Sequence, residues 1–202
     1  DQTPGDASAL AALERAWSAE ENYAALATEL PERARAVEDP ATRAKYLAIA
    51  ASAAILLGDK AVQTEILTEL AELVPDGTEL GDAVVGAFEQ DAAWDNAANV
   101  LLTMVTTVCS DDGPVRARLL FAAGKVYEDR LFNREKSIPF YSQAFKSDRT
   151  FVEPLEHARA IFRQQGHWGT VVKLYNAELR VTPEADRQVE ILSKIGEIHL
   201  QE

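Results

Sequence analysis

Residues 119–145, LLFAAGKVYEDRLFNREKSIPFYSQAF, decide how the chain is read. Leu120, Ala123, Gly124 and Tyr127 recur at three- and four-residue spacing, which places them on one face of an α-helix. Residues 155–183, LEHARAIFRQQGHWGTVVKLYNAELRVTP, repeat the arrangement. Leu155, Ala158 and Phe162 lie along one helix; Gly166, Trp168, Val171, Tyr175 and Pro183 follow. Residues 191–200, ILSKIGEIHL, begin it again with Leu192, Ile195, Gly196 and His199. A small residue such as Gly124, Ala144 or Ala158 lets two helices approach closely. A large one such as Tyr127, Tyr141, Phe162 or Tyr175 fills the gap against the next pair. One helix pair cannot bury its apolar face alone, so pairs must stack.

The rest of the chain carries the same signals. Alanine, the best helix former, occurs 34 times, and no segment shows the sustained alternation of a half-buried strand. Punctuation predicts helices at 7–19, 22–37, 41–57, 60–73, 79–89, 92–109, 115–130, 134–147, 151–165, 168–180 and 184–201. Asp39-Pro40 reads as an N-cap followed by proline at the first helical position. Gly58-Asp59 reads as a C-cap with a new N-cap behind it, and Gly166 ends another helix. Thr78 is expected to cap the segment after Pro75-Asp76-Gly77, Asp111-Asp112-Gly113-Pro114 precedes the next, and Thr182-Pro183 starts the last. Pro31 and Pro139 fall inside helices and should kink or break them.

The pattern resembles the tetratricopeptide repeat family, in a degenerate array of the bacterial type. Gly58, Trp94 and Trp17 extend it upstream of the two clearest copies. Starts near 7, 44, 78, 117, 152 and 189 lie 34 to 39 residues apart, against a family period of about 34. The resemblance implies an all-α, right-handed α-solenoid of antiparallel helix pairs filling one domain, residues 1–202, with repeats 7–43, 44–77, 78–116, 117–151 and 152–188 and a terminal helix 189–202. A generic or HEAT-like helical solenoid is the alternative. The last segment reads as a first helix without its partner, so the chain is expected to belong to a longer array or to self-associate through that edge. Its stripe is Val189, Leu192, Ile195 and Ile198 or His199. The tryptophans Trp94 and Trp168 read as wedges between paired helices rather than ligand platforms.

Catalytic templates fail one by one. There is no glycine-rich phosphate loop and no nucleophile elbow. His157, His167 and His199 share no metal-ligand spacing, and Glu153 with His157 reads as a solvated helix face. Cys109 ends an apolar helix as a buried small hydrophobe. The expectation is therefore no enzyme, no catalytic residue, no cofactor and no metal. The net charge of −13 repels nucleic acid. Residues 48–57, the longest mostly apolar run, reach about half the length a bilayer span needs, so no membrane insertion is expected. Residues 1–6 carry no signal-peptide pattern. A cytoplasmic location is expected, with the periplasm as the other compartment the chain would suit. Residues 1–100 hold 6 Lys and Arg against 19 Asp and Glu, whereas 101–202 hold 14 of each. The acidic excess is either a solubilising coat or a surface that attracts a basic partner.

By the resemblance, the first helix of each repeat lines a concave groove. Position by position, it assigns to that groove Glu79, Asp82, Gly86, Glu89 and Gln90; Arg118, Phe121, Lys125, Glu128 and Asp129; Glu153, Glu156, Ala160, Arg163 and Gln164; and Lys45, Ala48, Ser52, Ile55 and Leu56. The charged ones among the first three sets, with Phe121 and Gln164, form the candidate peptide site. Family members that grip chaperone tails use asparagine within a Lys/Arg clamp on these helices. Here Asn22, Asn96, Asn99, Asn133 and Asn176 all fall on second helices or in loops, which disfavours that ligand. The implied function is a non-catalytic scaffold or adaptor binding a peptide or protein surface. The alternative is a regulatory segment of a larger signalling enzyme or transcription regulator.

Overall fold

The computed structural model describes residues 7–201, so residues 1–6 and the reading of them lie outside the described part. It contains eleven α-helices and, among the described residues, no strand. They are α1 (Ala7–Ala19), α2 (Tyr23–Ala34), α3 (Pro40–Leu57), α4 (Lys60–Leu73), α5 (Gly77–Ala87), α6 (Trp94–Thr107), α7 (Gly113–Lys125), α8 (Arg134–Ser147), α9 (Glu153–Gln164), α10 (Trp168–Leu179) and α11 (Ala185–Gln201). A π-helical turn, Val126–Arg130, extends α7. Each odd-numbered helix from α1 to α9 packs on its successor, and α3, α5 and α7 also pack on one another in a row. The short turns make paired helices antiparallel. The result is an all-α solenoid of five pairs and a final helix.

The backbone marks these pairs independently of side chains. Among the described residues, φ is positive at Glu21, Gly58, Ala92, Phe132 and Gly166. Each lies two residues before the first residue of the second helix of a pair. The same left-handed residue thus reverses the chain inside every pair and is absent from the turns between pairs.

Side-chain caps start the helices as the sequence suggests at three sites. Asp39 accepts from the Thr42 amide at 2.9 Å, Asp59 from those of Ala61 and Val62, and Asp112 from that of Val115 at 3.0 Å. Asn22 and Asn133 do the same for Ala25 and Lys136, which gives both asparagines a structural task. Two expectations need correction, and a third in part. Asp76, not Thr78, caps α5, accepting from the amides of Thr78 and Glu79, because the helix already begins at Gly77. The last helix starts at Ala185, while Thr182 donates its hydroxyl backwards to the Glu178 carbonyl. Neither Pro31 nor Pro139 breaks its helix. Each removes one intrahelical donor, and packing of the surrounding turn keeps the helix continuous.

The main core runs from α1 to α8 and is built largely from alanine and leucine. On α3, Ala44, Leu47, Ala48, Ala50, Ala51 and Ala54 are all buried, as expected of a helix surrounded by neighbours. Gly124 sits where α7 meets α8: a β-carbon there would lie 2.5 Å from Tyr141 Cε1. At the far end, α11 buries Ile191 and Ile198 and leaves Val189, Leu192 and Leu200 exposed. The expected stripe is thus turned: Ile191 belongs to it, Val189 and Leu192 do not.

Candidate functional site

A cleft of about 560 Å³ opens beside α5, α7 and the start of α9. Successive turns of α5 present Thr78 and Asp82, and α7 presents Arg118, Phe121 and Lys125. The turn into α9 adds Thr150 and Phe151, and the helix itself adds Glu153. The two helices α5 and α7 come this close because Gly77 and Gly81 lack side chains. A β-carbon on Gly77 would lie 2.9 Å from Val115 Cα, and one on Gly81 3.0 Å from Ala122 Cβ.

Aromatic rings form the body of the site. Phe121 meets Phe151 edge-on, with ring centroids 5.1 Å apart, and the Arg118 guanidinium lies over the Phe151 ring at 3.5 Å. Phe121 also touches Tyr141 and His157. Behind these rings the buried Tyr141 hydroxyl donates to Glu128 Oε2 at 2.6 Å, and His157 Nδ1 lies 3.0 Å from the same oxygen. Burial, followed by the Glu128 carboxylate, pushes the Tyr141 hydroxyl well above the usual phenol range. The phenol therefore stays a neutral donor, which fixes the rings from behind. In front, Asp148 accepts from the Thr150 hydroxyl at 2.6 Å and the Thr150 amide at 2.9 Å. Those bonds, with Arg118 nearby, hold the Asp148 carboxyl below the usual carboxylate range and fix the turn that carries Phe151.

Of the candidate residues, Asp82, Arg118, Phe121, Lys125 and Glu153 share this cleft. The others are placed differently. Glu128 is turned inward, its side chain only 14% exposed. Asp129 lies 3.9 Å from Lys125, and Glu89 lies 3.4 Å from Arg130, whose guanidinium covers the half-buried Trp94. Glu79 is exposed on α5 outside the cleft. Gln164 accepts from Arg134 at 2.8 Å. Glu156 and Arg163 border a separate cavity of about 240 Å³ among α9, α10 and α11. That cavity overlies an ionic network absent from the sequence reading. Buried Glu178 on α10 pairs with buried Arg159 on α9 and, at 2.7 Å, with Arg187 on α11. Hydrogen bonding to Glu178, then to Glu190, holds the Arg187 guanidinium above its ordinary value. A signal existed: Arg159 and Glu178 both occupy positions on the apolar stripes of their helices.

Glu153 and His157 do not form a pair; His157 reaches Glu128 instead. Cys109 is buried, and burial pushes its thiol up, away from the reactive thiolate. Among the described residues no group of three or more His, Cys, Asp or Glu side chains could hold a metal ion. No described helix is long and apolar enough to cross a membrane.

No family model and no curated protein matches the chain. Among solved structures, the MamA RS-1 ArsTM double mutant matches at 18% identity and a TM-score of 0.41, over 89% of this chain and 96% of that one. MamA 41-end from Desulfovibrio magneticus RS-1 matches at 18% identity and a TM-score of 0.39, over 89% and 97%. Likeness at that level bears on neither the family nor the function of this chain.

Proposed function

We propose that this chain is a non-catalytic protein-interaction scaffold whose cleft beside α5, α7 and α9 takes an extended stretch of a partner polypeptide. Its degenerate tetratricopeptide-type array divides as 7–43, 44–77, 78–116, 117–151 and 152–188. The observation that carries the reading is the lining of the cleft: an aromatic pair, Phe121 and Phe151, surrounded by both signs of charge, Arg118 and Lys125 with Asp82 and Glu153. A polypeptide offers what such a lining takes up, namely apolar side chains for the rings and paired donors and acceptors for the charged rim. A single anionic group would meet the two carboxylates, and nucleic acid would meet the net charge of −13 as well.

Panning a random-peptide phage library on the full chain tests this. Lys125→Glu and Glu153→Lys change exposed residues, and circular dichroism should show both variants folded. Selected peptides should lose binding roughly tenfold to each variant, the scale of one charge-assisted contact. Peptides that bind both variants as well as the parent would remove the cleft from the function.

A further inference from the structure

A second cavity lies in the acidic half, and its chemistry is different. It measures about 270 Å³, opens to the surface, and is bordered by α1, α2, α3 and the segment from the end of α5 to the start of α6. That is below the roughly 300–1,000 Å³ of pockets that take a drug-sized molecule, so its scale is that of one side chain. Tyr23, Ile49 and Phe88 supply apolar wall, Glu14 and Asp91 supply two carboxylates, and among the described residues no lysine or arginine lines it.

Ser52 is the group that opens into this cavity from the core. It sits in the middle of α3, only 6% exposed, and lines this cavity. Its hydroxyl has no hydrogen-bond partner among the described residues. A helical hydroxyl can bond back to the carbonyl four residues earlier or turn to solvent. Thr28, Thr64, Thr68, Thr103 and Thr107 all bond back here. Asp91 likewise makes no hydrogen bond or ion pair among the described residues, and Glu14 accepts only from the Ser18 hydroxyl at 3.0 Å. The cavity therefore offers a nearly buried hydroxyl with no partner among the described residues, and two carboxylates with free acceptor capacity, beside apolar and aromatic surface.

We propose that this cavity is a socket for an arginine side chain of a basic partner protein. The aliphatic stem would lie against Ile49, and the guanidinium would stack on the aromatic wall and donate to Asp91, Glu14 and Ser52. A planar fork of five donors suits several dispersed acceptors, and weak hydration lets it enter an apolar-walled site more readily than an ammonium. The surrounding half, residues 1–100, carries 19 acidic against 6 basic residues and would steer such a partner. The proposal does not rest on the cleft beside α5, α7 and α9.

The test is amide chemical-shift titration of the full chain with n-butylguanidinium, n-butylammonium and the neutral isostere n-butylurea. Saturable shifts are expected around Ser52, Phe88 and Asp91, with n-butylguanidinium binding tightest. Asp91→Asn should weaken it roughly tenfold, as loss of one charge-assisted hydrogen bond does. Ser52→Ala should weaken it about threefold, and Asp82→Asn in the other cleft should leave it unchanged. Absence of saturable shifts at these amides would overturn the proposal. So would equal or tighter binding of n-butylurea or n-butylammonium, or indifference to Asp91→Asn.

Discussion

The first three helix pairs and the last elements of the chain use one template and hold it together differently. In α1–α6 the interior is alanine and leucine, and the charges stay outside. Where they cluster they remain near solvent: Arg35 meets Glu32, Glu65 and Glu69 on the surface, which raises its pKa through Glu69 first. In α9–α11 charge goes inside. The buried residues of α10 are Val171 and Glu178, and Glu178, 0% exposed, joins Arg159 and Arg187. Arginines bridge acidic residues across helices in both halves, Arg35 with Glu65 and Glu69 and Arg187 with Glu156 and Glu178; the difference is that Glu178 is buried whereas the carboxylates around Arg35 face water. A solenoid can be closed by small residues that let helices touch, or by ions that bridge them. Only the second needs every partner present.

That difference sets the largest expected effect. Glu178→Gln leaves buried Arg159 with only the exposed Glu156 carboxylate, 4.0 Å away, to match its charge, which costs about 3–5 kcal/mol. Glu69→Gln, in the exposed cluster around Arg35, costs about 1 kcal/mol or less. Urea unfolding of the two variants measures the contrast directly. The double variant Arg159→Met with Glu178→Leu should recover most of the loss, because an apolar pair of similar volume needs no matching. Equal losses from Glu178→Gln and Glu69→Gln would erase the distinction between the halves.

The contact between α7 and α8 tests the packing side. Gly124→Ala puts a methyl 2.5 Å from Tyr141 Cε1, and Tyr141 is pinned by its bond to Glu128. The ring cannot swing away without giving up that bond, so a loss of about 1–3 kcal/mol is expected in chemical denaturation. A neutral result would mean that the rings behind the cleft yield easily.

The helices were legible because their ends are written in residues with one local job: Asp39, Gly58, Asp112 and Gly166 act where the sequence places them. Thr78 misled because the turn at residues 75–78 holds two residues able to cap, and the earlier one acts. Five groove positions reached the cleft by register alone. Glu128 did not, since the π turn Val126–Arg130 interrupts the 3.6-residue periodicity on which that register depends. Thr150 and Phe151 were missed because they lie in the turn before α9, to which a helix register assigns nothing. Arg159 and Glu178 were missed for another reason. A charge on an apolar stripe is ambiguous until its partner is found, and the partner lies on a neighbouring helix.

A smaller effect separates charge that serves a turn from charge that serves a core. The Asp148 carboxyl titrates below its ordinary value, chiefly through the Thr150 hydroxyl. The folded state therefore binds fewer protons than the unfolded one as pH falls toward the ordinary carboxylate range near pH 4. The contribution is complete at neutral pH and is lost as pH drops through the folded value. Asp148→Asn should cost about 0.5–1 kcal/mol at pH 7, and its difference from the parent should vanish in strongly acidic solution. A difference that persists unchanged at low pH would assign the turn to Thr150 and Phe151 rather than to the carboxylate.

The smallest effect concerns what the two halves share. Five left-handed residues reverse the chain inside the five pairs, and only Gly58 and Gly166 are glycine. Glu21, Ala92 and Phe132 hold the same backbone against the preference of their β-carbons, a strain of order 1–3 kcal/mol each. Ala92 is exposed and the Phe132 ring is 85% exposed, so replacing either removes little packing. Glycine would relieve the strain but gain freedom in the unfolded chain, about 0.4–1 kcal/mol against it. Ala92→Gly and Phe132→Gly should therefore each stabilise by about 0.5 kcal/mol. The reverse changes, Gly58→Ala and Gly166→Ala, should cost about 1 kcal/mol through backbone alone, because no atom lies within 4 Å of the added carbon. The same gain in both halves would show that the turn belongs to the template and is indifferent to how a pair is filled. A gain at Ala92 with a loss at Phe132 would mean that the ring, though exposed, is tied to its own half.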